Sequence, residues 1–426
     1  MQKNVILFIS LFFLLPFTVK TQDFDDFFIN KTLRINYWHI GKNDMEKIEV
    51  KEFFAGGKWN GTRKFLQSPN RYGDMLLEVF DSSADSLIFS RSYSTLFLEY
   101  RSTERAETEV GKFEESVNIP FPKKKIRYVL TSFDRKGVPT KLFEGEFDPQ
   151  TTECKPFAKE FKTMTLHKGG APARAVDILF LPDGYSKADK KKMKADLQRF
   201  ADYIINCSPY KENADKVNIR AIEAYSEESG ITDPREGVYR KTLFNSSFNV
   251  LDLDRYLMCL NVWKMHEIAD DAPYDILVLV CNTPKYGGGG IYNFYCTVNT
   301  EGKSPDYVIV HELGHLFGGL ADEYYASEVS VRDYYPEGIE PAEPNLTTLV
   351  DFDKKWKSML ADGTPVPTPD EKTYDDVLGV FEGGGYVAQG VYRPVRSCTM
   401  KDIVYDHFCP VCTKVLLEAL DYYSGK

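Results

Sequence analysis

This sequence has few cysteines and no excess of positive charge. Its 426 residues include eight cysteines, which are too few and too scattered for a disulfide scaffold in a chain of this length. Acidic residues outnumber basic ones, so the formal charge is -10 and no basic block points to a nucleic-acid partner. After the first residues, no apolar run is long enough to cross a bilayer. We therefore expect neither a disulfide-held module, nor a nucleic-acid partner, nor a transmembrane segment in the mature chain.

The rest of the composition is ordinary for a globular protein, with 43% hydrophobic and 27% charged residues. A single hydrophobic core usually stops growing well below this chain length. Two domains are therefore expected.

The first residues have the pattern of a secretory signal peptide. Lys3 precedes an apolar run from Val5 to Val19 that Pro16 interrupts, and residues 20–22 form a polar exit. A membrane anchor is the alternative, but the run is shorter than the ~20 residues that span a bilayer. We expect residues 1–22 to be removed and the mature chain to be secreted, periplasmic or at the cell surface.

Residues 23–160 are expected to form an all-β sandwich domain. Their β-branched and aromatic runs are separated by turn clusters, and helical periodicity is weak. Half-buried antiparallel strands need a second sheet to cover their apolar face, which favours a sandwich. The predicted strands include Leu33–Ile40, Leu87–Tyr100 and Ile126–Phe133.

After a linker at residues 168–172, the pattern changes to alternating strands and helices. This alternation predicts an α/β domain over residues 172–426 with a largely parallel sheet. The predicted strands are Val176–Leu181, Ile219–Tyr225 and Ile276–Cys281, and the predicted helices cover Met193–Ile204 and Leu253–Ile268.

Four successive glycines, Gly287 to Gly290, follow Tyr286 and precede the strand-like segment Ile291–Val298. Glycine has too much conformational freedom for such a run to form a stable helix or central strand. Two interpretations stay open. The run is either a mobile edge of a cleft that pairs with extended substrate by strand addition, or a flexible hairpin loop.

The apolar segment Val308–Leu316 is predicted to be a buried helix, and it contains a His-Glu-x-x-His motif. His311 and His315 are four residues apart and share one helical face, so both imidazoles can bind a single ion. Glu312 is rotated by ~100° from His311. Its carboxylate then lies beside the ion, where it can act as the general base on the attacking water. Two imidazoles, one oxygen ligand and a water are typical of catalytic Zn²⁺. The motif alone also fits a helix in which the two histidines only form hydrogen bonds.

The third protein ligand is expected just beyond this helix. Gly318 and Gly319 end the helix, which lets the chain turn back and deliver a nearby acid to the ion. Asp322 is favoured over Glu323 for this position. Glu337, in a Pro-Glu-Gly loop, is a weaker alternative at the spacing of zinc sites that take a glutamate from a second helix.

Met400 lies well downstream of the motif, in the sequence Ser-Cys-Thr-Met. In zinc peptidases with a short ligand spacing, a methionine turn forms an apolar floor under the histidines, and we expect that role here. A lone methionine that merely fills the core is the alternative.

Cys409 and Cys412 form a Cys-x-x-Cys pair, and Cys398 and His407 lie nearby in the sequence. A structural zinc site is one interpretation of this grouping. A disulfide or buried thiols are favoured, because no second Cys-x-x-Cys pair completes the set.

Longer segments around these motifs resemble the bacterial IgA metallopeptidase family, peptidase family M64. The resemblance covers about residues 172–424, and the preceding region is similar to the separate amino-terminal domain of many members. The segments that carry it are HELGHLFGGLADEY at 311–324, VDILFLPDGY at 176–185, EPN at 343–345, GVYRP at 390–394 and the Cys-Thr-Met turn at 398–400.

The resemblance implies a metzincin-like zinc endopeptidase exported by a gut-type bacterium. Where metzincins have a third histidine, this chain has Ala321, and Asp322 comes one residue later. The resemblance therefore implies an acid near this place without matching the ligand itself. In some metzincins a tyrosine beyond the methionine turn stabilises the oxyanion, and Tyr405 is the corresponding candidate.

The prediction as a whole is a secreted zinc endopeptidase in which Glu312 is the general base. Its one catalytic Zn²⁺ would be held by His311, His315 and Asp322, and its partner would be a protein or glycoprotein substrate in extended form. Two other functions are weighed against this one: a surface module that binds glycans or proteins and keeps a relic zinc site, and a zinc amidase acting on peptidoglycan stem peptides. The intact Glu312 argues against the relic.

Overall fold

The computed structural model describes residues 23–325, 334–402 and 407–426. The predicted signal peptide at residues 1–22 and the candidate Tyr405 lie outside these ranges. None of the helices in the described ranges is both long and apolar enough to span a membrane.

The amino-terminal region is rich in strands and contains two short helices. Its elements are α1 (Phe24–Phe27), β1 (Phe28–Lys42), β2 (Met45–Gly56), β3 (Met75–Asp81), β4 (Ser86–Tyr93), α2 (Leu96–Arg101), β5 (Gly111–Pro122), β6 (Ile126–Phe133), β7 (Pro139–Phe147) and β8 (Lys155–Pro156). They form two four-stranded sheets with the strand orders β5-β1-β2-β8 and β4-β3-β6-β7. Alternate side chains of both sheets, such as Leu33, Leu77 and Leu130, join one buried cluster.

The predicted strand Leu87–Tyr100 ends earlier than expected. Strand β4 stops at Tyr93, and helix α2 begins at Leu96. Within α2, Leu96, Phe97 and Tyr100 are buried on one helical face. Because a short run of aromatic residues fits either a strand or a helix, the sequence pattern could not place this boundary.

A second region contains the larger sheet and the longer helices. Its elements are β9 (Lys162–Lys168), β10 (Val176–Asp183), α3 (Lys190–Asn206), β11 (Val217–Glu223), α4 (Val262–Ala269), β12 (Ile276–Cys281), β13 (Gly288–Gly290), β14 (Tyr295–Asn299), α5 (Pro305–Gly318), β15 (Phe381–Gly384), β16 (Val387–Arg393) and α6 (Pro410–Ser424). Strands β15 and β16 form a separate antiparallel pair.

The six-stranded sheet has the order β13-β14-β12-β10-β11-β9. Its four central strands are parallel, and β13 and β9 run antiparallel to their neighbours at the two edges. All eight residues of β10 are buried. Parallel strands are covered on both faces, which explains why this strand is a nearly continuous apolar run. The sheet is largely parallel, in agreement with the sequence-based prediction.

Helices cover both faces of this sheet. Ile178 and Phe180 of β10 pack with side chains of α3, α5 and α6. Leu179 and Leu181 point the opposite way and pack with side chains of α4. The alternation of side-chain direction along a strand therefore separates two buried clusters, and α5 lies against the first of them.

The predicted helix Leu253–Ile268 is shorter in the structure, where α4 begins at Val262. In the preceding segment, Met258 pairs with Ser247 in an isolated antiparallel bridge. The backbone of this segment therefore pairs with Ser247 and, through Tyr256, with Gly288 rather than forming helical hydrogen bonds.

The glycine run forms an edge strand. Gly288–Gly290 is β13, antiparallel to β14, so the run is not the hairpin loop that was one of its two interpretations. Gly288 also forms a bridge with Tyr256 on its other side. The strand predicted from Ile291 begins only at Tyr295, because the backbone N–H of Ile291 donates to the Tyr295 carbonyl in a turn.

The two regions share buried contacts. The guanidinium of Arg34, in β1, forms a buried salt bridge of 2.6 Å with Asp270, which follows α4. The rings of Trp38 and Trp263 pack at a tilt of 56°, with their centroids 4.3 Å apart. These contacts hold the two regions together.

Candidate metal centre

Helix α5 brings the two histidines of the motif together. His311 and His315 are one turn apart on the same face, and their Nε2 atoms are separated by 3.1 Å. The helix is almost wholly apolar, and most of its side chains are buried in the core. The histidines are thus held on a rigid, packed element.

Each imidazole is oriented by a backbone carbonyl. The Nδ1 atom of His311 lies 2.9 Å from the carbonyl oxygen of Thr399, and that of His315 lies 2.6 Å from the carbonyl oxygen of Leu320. A carbonyl oxygen can only accept, so both Nδ1 atoms carry the proton as donors. In the neutral form of each imidazole, Nε2 then keeps its lone pair for an ion.

The turn after α5 delivers Asp322 to the same point. Gly319 has φ +61°, which ends the helix in the left-handed region that favours glycine. The Oδ1 atom of Asp322 lies 2.9 Å from Nε2 of His311 and 3.3 Å from Nε2 of His315. In a tetrahedral zinc site with bonds of about 2.0–2.1 Å, ligand atoms are about 3.3 Å apart. The spacing of these three atoms therefore suits one small ion.

Asp322 is buried, and its neighbours keep it charged. Burial alone raises the pKa of its carboxyl group, but the positive charge that the imidazoles of His315 and His311 carry when protonated outweighs burial and holds the pKa well below its usual range. Its second oxygen, Oδ2, accepts a hydrogen bond from the hydroxyl of Tyr386. The sequence did not single out Tyr386, since 64 residues separate it from Asp322.

The two alternative acids lie elsewhere. Glu323 is fully buried and its Oε1 accepts from the side-chain amide of Asn345 at 3.0 Å. Glu337 is exposed. The structure thus brings Asp322, and neither of these glutamates, to the imidazoles.

The carboxylate of Glu312 lies against the glycine strand. A Cβ atom at Gly288 would be 3.2 Å from Oε1 of Glu312, and one at Gly290 would be 3.1 Å from Oε2 and 2.7 Å from the Glu312 carbonyl oxygen. Side chains on β13 would therefore push the strand away from α5, which explains the glycines physically. Burial raises the pKa of Glu312, as suits a group that accepts a proton near neutral pH.

A cleft of about 690 Å³ opens over these residues. Part of its lining comes from the amino-terminal region, including Tyr72, Ser94 and Glu99. Arg255 and Tyr286 line it from the second region. The contribution of the amino-terminal region depends on how distant segments pack, so the sequence carried no signal for it.

Met400 lies beneath the histidines. A Cβ atom at Gly314 would be only 2.5 Å from its sulfur, so the Met400 side chain packs directly against α5 between His311 and His315. Met400 is fully buried.

A second group of potential ligands lies behind Asp322. We call it the sulfur cluster, and it consists of Glu323, Cys398, Cys409 and Cys412. All four residues are buried, and their ligand atoms lie within 4.8 Å of one another. Sequence reasoning grouped the three cysteines with His407 and missed Glu323, because no local pattern connects that residue to them.

Each of the two regions matches a known family model. A family model described as IgA Peptidase M64 matches residues 164–376 and 370–420. A second model, described as Peptidase M64 N-terminus, matches residues 23–144. A search of curated proteins found no match.

Proposed function

The chain belongs to the IgA peptidase M64 family, and on that premise we propose that it is an exported zinc-dependent endopeptidase. Membership of the family makes it a hydrolase that acts on peptides. The observation that carries the finer proposal is the convergence of His311, His315 and Asp322 beside Glu312 in the wall of an open cleft.

Zn²⁺ suits the three ligand residues. Two neutral imidazoles and a carboxylate are the usual protein ligands of catalytic zinc, and their spacing fits its bond lengths. The Oδ1 atom of Asp322 has no hydrogen-bond donor among the described residues, which agrees with an oxygen reserved for a cation. When bound, the ion would acidify a water molecule and polarise the carbonyl of the substrate.

Glu312 is proposed to move the proton. Its carboxylate takes a proton from the water that attacks the peptide carbonyl, and it then gives this proton to the nitrogen of the leaving amine. Burial, which raises its pKa, makes the carboxylate a stronger base for the first step. The second step returns Glu312 to its starting state, so no covalent intermediate is needed.

The glycine strand is proposed to guide the substrate. Strand β13 is the last strand of its sheet and lines the cleft beside Glu312. Tyr256 bridges Gly288 on the outer side of β13, so an extended peptide is proposed to pair with this edge beyond Gly288, with the glycines leaving room for its side chains. Tyr405 stays a candidate for stabilising the oxyanion.

The finer predictions about architecture and location are also proposals. The buried cluster shared by the two amino-terminal sheets supports a β-sandwich. Helix α5, with the Met400 side chain beneath it, supports a metzincin-type fold for the second region. The charged and apolar pattern of residues 1–22 supports export by a signal peptide.

A proteolysis assay with Glu312→Gln tests the proposed function. We expect cleavage of an unfolded protein to fall by about 10²–10⁴ in kcat/KM, the usual contribution of a positioned acid-base group. Zinc content should stay unchanged, because Glu312 is not a proposed ligand. Glu337→Gln, at an exposed glutamate, is the matched control and should cleave like the natural chain.

Three results would contradict this proposal. Undiminished cleavage by Glu312→Gln would remove the general base from the mechanism. Tight binding of a host glycoprotein without turnover would favour a binding module. Turnover of peptidoglycan stem peptides alone would favour the amidase.

A further inference from the structure

The sulfur cluster has the composition of a metal site. Three thiols and a carboxylate from three separate segments meet in the protein interior. The Sγ atoms of Cys398 and Cys412 are 3.9 Å apart. That separation is close to the edge of about 3.8 Å expected for two sulfurs bound to one Zn²⁺ with bonds of about 2.3 Å.

A disulfide accounts for this grouping less well. Only two of three thiols can pair, so one buried thiol would remain together with the carboxylate of Glu323. The S–H of Cys412 instead points to Oε1 of Glu323 at 3.3 Å, which places the acid among the sulfurs. A single ion would use all four side chains at once.

Glu323 supplies an independent indication of a bound cation. It is fully buried, and its Oε2 atom has no hydrogen-bond partner within the described part of the chain. An unpaired carboxylate oxygen in the interior is costly, because burial removes its water without replacing it. Coordination to a cation would remove that cost.

The backbone around the sulfurs also favours thiolates. The N–H of Cys409 donates to Sγ of Cys398 at 3.2 Å, and the N–H of Cys412 donates to Sγ of Cys409 at 3.4 Å. Cys409 is the N-cap of α6, a helix of 15 residues, and Cys412 lies in its first turn. The positive end of the helix dipole stabilises negative charge at this position.

From these observations we propose that the sulfur cluster binds a second, structural Zn²⁺. Binding would release the thiol protons to solvent, since zinc is held by thiolates. All four ligands come from the protein and all are buried, as in closed structural zinc sites.

The proposed ion would fix the surroundings of the catalytic ligands. Cys398 lies two residues before Met400, and Glu323 directly follows Asp322. The N–H of Glu323 donates to the Met400 carbonyl at 2.8 Å, which joins these two segments. An ion held by both segments and by α6 would therefore set the position of Asp322 from behind.

Zinc counting on the full chain tests the proposal. The natural protein, purified under reducing conditions, should hold two zinc ions per chain by mass spectrometry of the metal. His311→Ala/His315→Ala and Cys409→Ala/Cys412→Ala should each hold one. Cys281→Ala/Cys296→Ala removes two other buried cysteines and is the matched control, with two ions expected.

Cobalt spectroscopy covers the case in which the cysteine variant does not fold. The His311→Ala/His315→Ala variant, loaded with Co²⁺, should show an intense near-ultraviolet band from thiolate-to-metal charge transfer. The catalytic ligands contain no sulfur, so this band reports the sulfur cluster alone. The experiment also separates the two proposals. A charge-transfer band in this variant would support the ion in the sulfur cluster and would say nothing about the catalytic site, which the Glu312→Gln assay tests.

Specific results would overturn the second zinc. One zinc per natural chain that disappears in the histidine variant, together with no charge-transfer band, would exclude it. Titration of six rather than eight thiols in denaturant would show a disulfide in its place. An intact zinc count in Cys409→Ala/Cys412→Ala would also contradict it.

Discussion

Asp322 and Glu323 are neighbours in the chain, but their side chains enter two different clusters. Asp322 joins two imidazoles at the wall of a cleft, whereas Glu323 joins three thiols in the interior. The first cluster has nitrogen and oxygen donors and an open side, and the second has mostly sulfur donors and is closed. Catalytic zinc sites keep a position for water, and structural ones do not.

This difference shows how one short turn can serve two purposes. Side chains of adjacent residues in an extended segment point in opposite directions. After Gly319 ends α5, Asp322 lies beside the two imidazoles of that helix and Glu323 lies beside the cysteines at the start of α6. An acid at each of two successive positions therefore reaches a different cluster.

The largest expected effect is the loss of activity in Asp322→Ala, which distinguishes Asp322 from Glu323. Asp322→Ala should lower kcat/KM by more than about 10²-fold, because loss of a direct ligand should exceed the 10–100-fold loss typical of outer partners. The catalytic ion should be lost while the fold is kept. Proteolysis rates and metal content measured on the same preparation check both parts.

Glu323→Gln is the reciprocal change. It should leave the catalytic ion in place and lower the free energy of unfolding by about 1–3 kcal/mol, since an amide replaces the buried carboxyl group that accepts from Asn345 and Cys412. Denaturant unfolding measures this loss. If Glu323→Gln removed the catalytic ion while Asp322→Ala affected only stability, the assignment of the two acids would be reversed.

Sequence patterns predicted the fold best where burial alone decides the structure. Strands β6 and β12 have the predicted bounds, and β10 extends the predicted one, because apolar runs of this length form buried strands. The pattern failed where long-range pairing dominates. The segment before α4 pairs with Ser247 and with Gly288 of the glycine strand, and that strand depends on its contact with α5.

The same division applies to the sites. Helical spacing brings His311 and His315 together, so the sequence was sufficient to group them. Glu323 and Cys412 are 89 residues apart, and Tyr386 reaches Asp322 from a separate strand pair. Such contacts follow from tertiary packing and leave no local pattern in the sequence.

A third buried cluster sharpens the comparison, because each ring nitrogen of its histidine faces a carboxylate of its own. Nδ1 of His39 lies 3.0 Å from Glu115 and Nε2 lies 2.9 Å from Glu46. Burial lowers the pKa of His39, but the two carboxylates outweigh burial and raise the pKa to about 9. Arg101 pairs with Glu46, and the hydroxyl of Ser132 donates to it at 3.0 Å. Because both ring nitrogens of His39 are taken up by carboxylates, neither is left for a metal.

Stability should therefore depend on pH through His39. The pKa rise from 6.5 to about 9 corresponds to about 3 kcal/mol. A raised pKa in the folded state stabilises the protein below pH 6.5, and this contribution is lost as the pH rises through 9. Urea unfolding should show the natural chain losing its advantage over His39→Gln across this range. Val138→Ala, at an exposed position, is the control, and its free energy of unfolding should differ from that of the natural chain by the same amount at every pH. If the free energies of His39→Gln and the natural chain changed in parallel with pH, the prediction would be contradicted.

The smallest effect concerns the partner of Asp322. The Tyr386 hydroxyl donates to Oδ2, so it orients the carboxylate while Oδ1 faces the imidazoles. Tyr386→Phe should weaken zinc binding, measured by competition with a chelating dye, by about 10–100-fold. Stability in the zinc-free state should change much less than in Glu323→Gln.

Zinc affinity distinguishes an orienting role for Tyr386 from simple packing. Phenylalanine keeps the ring, which lies 5.4 Å from that of Tyr324, and removes only the hydroxyl. Tyr239→Phe, on an exposed tyrosine, is the control for loss of a hydroxyl. If Tyr386→Phe bound zinc as tightly as the natural chain, the Tyr386 hydroxyl would not be needed to orient Asp322 for the ion. Asp322 would then be held by the turn and by the buried cluster behind it alone.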